Sequence, residues 1–140
     1  MRIGIVSTIA AIALLVADAL ADAPFATATF VKLDPKTTKA SPIASARIDD
    51  QHVCLVLRDV STVDGDHSLS LVIYDGAGRE AYRSVSTITA KEKKWGRTIC
   101  YGYNSEHDTA GTWWYVAELD DQPLVSKELV VALAQPPGVG

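Results

Sequence analysis

Downstream of Ala23, no stretch of this chain keeps a helical period. Short runs rich in Val, Ile, Thr, Tyr and Trp are instead separated by clusters of Asp, Gly, Pro and Asn. Alternating β-branched and aromatic residues bounded by turn formers indicate strands. Seven strands are predicted, at about Ala26 to Leu33, Gln51 to Asp59, Ser68 to Tyr74, Glu80 to Ser86, Trp95 to Tyr103, Thr112 to Leu119 and Leu124 to Leu133. A polar loop containing Pro42 should join the first two, and Asp64-Gly65-Asp66 should turn the chain into the third. Asp75-Gly76-Ala77-Gly78 is a tight turn between the third and fourth, because glycine supplies the positive φ such turns need.

Seven short strands at regular spacing predict an all-β, seven-stranded immunoglobulin/fibronectin-III-like sandwich, with a small β-barrel as the alternative. The short turn between the third and fourth strands makes them a hairpin within one sheet. The fibronectin-III-like arrangement follows, with strands one, two and five in one sheet and four, three, six and seven in the other.

The N-terminus has a different character. Arg2 precedes an apolar run from Ile3 to Ala17, followed by Asp18, Ala19, Leu20 and Ala21. A charge, a short apolar stretch and small residues at a cleavage site form a secretory signal peptide, and the run is shorter than a membrane span requires. Cleavage after Ala21 leaves 119 of 140 residues. The expected organisation is a signal peptide over 1–21, a sandwich domain over 22–133 and a flexible C-terminal tail over 134–140, with periplasmic or secreted localisation and no membrane span in the mature chain. A net charge of −4 shows no electrostatic footprint for nucleic acid. Lys91, Lys93 and Lys94 beside Trp95 read as a solvated turn.

The two cysteines, Cys54 and Cys100, lie in predicted strands two and five. An even pair in an exported chain reads as a disulfide. Strand parity puts Val53, Leu55 and Leu57 on one face and Cys54 and Val56 on the other; Ile99 and Tyr101 likewise oppose Cys100. Both cysteines therefore take the less apolar face. A bridge between adjacent antiparallel strands on the outer face of one sheet is expected. A bulge in either strand would shift the parity and move the bridge.

The stretch Gly111-Thr112-Trp113-Trp114-Tyr115-Val116-Ala117-Glu118-Leu119-Asp120-Asp121, with Leu124-Val125 and Leu129-Val130-Val131, resembles the terminal hairpin of bacterial immunoglobulin-like domains. The resemblance covers about a fifth of the mature chain and implies a fold, with no shared activity to transfer. Asp121 stands where that hairpin commonly has glycine.

No catalytic, metal or cofactor set is predicted. His52, His67 and His107 lie close in sequence to Asp50, Asp66 and Asp108 but follow no nucleophile motif. Asp64-Gly65-Asp66 with Asp59 does not complete a calcium loop. Asn104-Ser105-Glu106 is not a glycosylation sequon. The candidate binding face comes from parity. If Trp113 and Leu69, Leu71 and Ile73 face the core, then Val72, Tyr74, Trp114 and Val116 face out from adjacent strands. Exposed apolar-aromatic patches mark interaction sites. The expected function is a non-enzymatic binding or accessory module for an extracytoplasmic protein or glycan. The alternatives are a small secreted hydrolase using a His-Asp pair, and an inhibitor presenting the Asn104 to Gly111 loop.

Overall fold

The computed structural model describes residues 25–91 and 94–134. The predicted signal peptide, nearly all of the predicted tail, and Glu92 and Lys93 of the basic cluster lie outside the described residues. The described chain is all-β: β1 (Phe25–Leu33), β2 (Ala40–Pro42), β3 (Ser45–Arg47), β4 (Val53–Ser61), β5 (Gly65–Tyr74), β6 (Glu80–Ala90), β7 (Lys94–Tyr101), β8 (Gly111–Leu119) and β9 (Gln122–Ala132). They form two sheets, ordered β2-β1-β4-β7 and β3-β9-β8-β5-β6. Among the described residues, no helix is long and apolar enough to cross a membrane.

The seven predicted strands are β1, β4, β5, β6, β7, β8 and β9, and they divide between the sheets as the hairpin argument requires. Among the described residues, the count of seven is corrected to nine. The expected polar loop holds β2 and β3, which switch the chain between sheets. β2 pairs with β1, placing Pro42 opposite Val31 on an edge, where a missing N–H costs no ladder bond. β3 runs parallel to β9 and delivers Ala46 to the core, with Ile48 just beyond it. Three-residue strands carry too little periodicity to be seen against loop sequence. The turn expected at Asp64-Gly65-Asp66 lies earlier, since Gly65 and Asp66 already pair with Ala90 and Thr89.

The core lies between the sheets and follows strand alternation. Val53, Leu55 and Leu57 of β4 meet Leu69, Leu71 and Ile73 of β5, and Trp113, Tyr115, Ala117 and Leu119 of β8. Tyr103 and Tyr115 join their hydroxyls by a buried hydrogen bond, so each phenol enters the interior with a partner. Burial pushes both phenols far above their ordinary titration range. The sandwich is closed on the side where β1 meets β9. There Lys127 donates its Nζ to the Ala28 carbonyl at 2.7 Å and lies 5.6 Å above the Phe30 ring. On the opposite side, β6 and β7 are both sheet edges.

Candidate functional site

The disulfide joins Cys54 and Cys100, which are direct partners on antiparallel β4 and β7. Val53 and Leu55 point into the core cluster and Cys54 does not, so the bridge occupies the outer face of its own sheet. Cys54 is nonetheless fully buried, in a row with Val31 of β1 and Cys100 of β7.

The proposed binding face is built by register. Tyr74 stands opposite Trp114, and Val72 opposite Val116, on the outer face of the five-stranded sheet. Trp113 is fully buried, while Trp114 next to it is 43% exposed. Tyr74 and Val116 are half-buried. Val72 also faces outward, but it is buried at 8% exposure, which corrects its expected exposure. It sits mid-sheet, flanked by Val116 on one side and by the longer Arg83 side chain on the other. Across the sheet, the row reads Glu128, Trp114, Tyr74, Glu80, and the next reads Ser126, Val116, Val72, Arg83. Arg83 donates to Glu80 through Nε at 2.9 Å and through a terminal nitrogen at 2.6 Å. The Glu80 carboxylate holds the guanidinium charge more firmly.

Two loops extend this face beyond the strand ends. In the β5–β6 turn, Asp75 Oδ1 accepts the backbone N–H groups of Ala77 and Arg79, each at 2.9 Å. In the loop before β8, Asp108 accepts from the Asn104 N–H at 2.9 Å and the Tyr101 hydroxyl at 3.0 Å. Trp113 Nε1 donates to the Thr109 carbonyl at 2.8 Å. Burial and the Asp108 carboxylate push the Tyr101 phenol up to about 12. The two loops touch at Gly76 and Gly111. A Cβ on Gly76 would lie 2.5 Å from the Ala110 carbonyl oxygen, so only glycine permits this approach.

No protein-family model matches the chain, and no curated protein matches it by sequence. The functional reading therefore rests on geometry.

The three histidines do not make the neighbour pairings suggested by sequence. Asp50 bonds Lys32 at 2.8 Å, and Asp108 bonds Tyr101 and Asn104. Asp66 accepts from Thr89 at 2.7 Å. His67 is the one that is buried, at 9% exposure. Its Nδ1 lies 2.6 Å from Asp120 Oδ2, and its Nε2 lies 2.7 Å from the Val63 carbonyl and 3.0 Å from the Thr62 hydroxyl. Both ring nitrogens thus face oxygen acceptors, which suits the doubly protonated imidazolium, and the Asp120 hydrogen bond raises the His67 pKa. Thr62, His67 and Asp120 lie in the order of a hydroxyl–base–carboxylate relay. A base must hold a free lone pair towards its nucleophile, and here the Val63 carbonyl claims the same nitrogen at the shorter distance. Sequence reasoning missed Asp120, which is 53 residues away. The parity of His67 with Leu69, Leu71 and Ile73 was the available signal that it points inward.

Proposed function

We propose that this chain is an exported, non-enzymatic binding module with an immunoglobulin/fibronectin-III-like sandwich, acting in the periplasm or outside the cell. The disulfide and the signal-like N-terminus support the compartment. The division of strands between sheets and the Gly-x-Trp hairpin support the fold type. The observation that carries the binding reading is the direct opposition of Tyr74 and Trp114 on an outer sheet face with Trp114 partly exposed. Tryptophan and tyrosine supply large contact area at low entropic cost and dominate binding hot spots. The adjoining loop, tied by Asp108 and Trp113, offers a preorganised border to the same face. Its partner is an extracytoplasmic protein or glycan.

The test is capture from the cell envelope and medium by the mature oxidised protein, beside Trp114→Ala. A partner held by the parent and lost by the variant supports the reading. Equal capture by both proteins moves the site to the loops and refutes the placement on this face.

A further inference from the structure

A second site is suggested by residues on the open side of the sandwich that break the apolar rule. Register places Tyr82, Ser84, Ser86 and Ile88 of β6 on the inward parity, opposite Ile73, Leu71, Leu69 and His67 of β5. On β7 the inward row is Trp95, Arg97, Ile99 and Tyr101, opposite Val60, Leu57, Leu55 and Val53. Two serines and an arginine therefore face the space between the sheets, where leucine or valine would fill it. The small serines leave a cleft of about 240 Å³ between the edges. Leu69, Leu71 and Ile99 line its apolar part, while Ser84, Ser86, Tyr82 and Arg97 line its polar part.

The polar groups of this cleft include one guanidinium, which only donates, and three hydroxyls, which can donate or accept. Among the described residues, Arg97 forms no ion pair. A guanidinium presents a planar fork of donors that matches a carboxylate, and hydroxyls add adaptable donors beside it. The leucine floor excludes a ligand that is charged all over. The cleft is smaller than pockets that enclose drug-sized ligands.

We infer that the cleft between β6 and β7 binds a small amphipathic carboxylate, its anionic end on Arg97 and its short apolar body over Leu69 and Leu71. This site is separate from the Tyr74–Trp114 face and does not depend on it. The same chemistry is offered by a free short-chain acid and by the carboxyl end of an apolar peptide.

The experiment is an amide NMR titration of the mature oxidised protein with hexanoate, hexanol and N-acetyl-trivaline at millimolar concentration. Saturable shifts centred on Ser84, Ser86, Arg97 and Ile99 with hexanoate, and weaker ones with hexanol, are expected. Trivaline binding at the same amides identifies a chain end as the source; its absence identifies a free acid. Arg97→Gln should weaken hexanoate by about tenfold, the loss of a charge-assisted contact. Ser86→Leu should abolish it by filling the cleft. Arg97 is exposed, so its variant keeps the test decisive if Ser86→Leu does not fold. Equal binding of hexanol and hexanoate, or no saturable shift with hexanoate, overturns the inference. The inward polar residues would then serve only to protect two sheet edges against pairing.

Discussion

His67 and Asp120 lie 53 residues apart in sequence and meet at 2.6 Å, tying the start of β5 to the β8–β9 turn. Asp120 also accepts the Ser68 N–H at 2.8 Å through its other oxygen and donates its own N–H to the Ser68 carbonyl at 2.8 Å. One turn residue thus fixes both ends of a contact that the sheet ladder alone would leave free to fray.

The pair makes stability depend on pH in a defined direction. The His67 pKa is raised above 6.5, so its contribution is complete below that pH and is lost as pH rises through the folded value. The Asp120 pKa is lowered below 3.8, so its contribution is present above that pH and is lost as pH falls through the folded value. Denaturant unfolding across pH should show the folded state weakening on both sides of this window. The effect should be small, because the Asp120 side chain is half exposed. His67→Gln should flatten the alkaline limb.

The β8–β9 turn offers a paired test. Asp120 and Asp121 both have positive φ, at 51° and 64°, as a two-residue hairpin of this hand requires. Asp121→Gly should stabilise the protein by about 0.5–1 kcal/mol, because glycine adopts this conformation without a Cβ penalty. Asp120→Gly relieves the same strain but removes the bonds to His67 and Ser68, so it should give no gain. Thermal melting of the two variants distinguishes them. Stabilisation of both equally would show that the His67 contact contributes nothing.

The disulfide closes a loop with a sequence separation of 46. Constraint of the unfolded chain at that length is worth about 3–4 kcal/mol in the entropy model. Replacing both Cys54 and Cys100 with Ala should lower unfolding stability by about that amount while keeping the sheet order, since β4 and β7 retain their ladder. Urea denaturation measures the loss, and far-ultraviolet circular dichroism checks the retained fold.

Gly76→Ala should destabilise the protein by about 1–3 kcal/mol, the usual cost of overpacking. Its new Cβ would meet the Ala110 carbonyl at 2.5 Å, and backbone cannot swing aside as a side chain can. The same variant should loosen the loop beside Trp114, seen as faster amide exchange at residues 104–111. Trp113→Ala, by contrast, should cost about 3–5 kcal/mol by opening the core, while its neighbour Trp114→Ala should leave stability nearly unchanged.

Much of the architecture is legible along the chain because strand parity is a local rule. The alternation Trp113-Trp114-Tyr115-Val116 assigns one tryptophan to the core and the next to the surface without reference to any other strand. The same parity puts Cys54 opposite in sense to Val53 and Leu55, and so predicts a bridge within a sheet. Parity also carried less visible messages. His67 shares the inward sense of Leu69, and Ser84, Ser86 and Arg97 share the inward sense of their core partners. Each breaks the apolar pattern where the structure later places a polar contact or an opening.

What the sequence determined by itself was therefore the set of main strands, the inward and outward sense of most side chains, and the cysteine pair. These depend on residues within a few positions of one another. Tertiary structure alone decided which carboxylate meets His67, how deeply Val72 is covered, and that 40–47 contributes two strands. Those outcomes depend on register and on the packing of segments distant in sequence, where a three-residue strand gains its hydrogen bonds from partners already in place. The edges left open at β6 and β7 are likewise a property of strand order, which no single strand encodes.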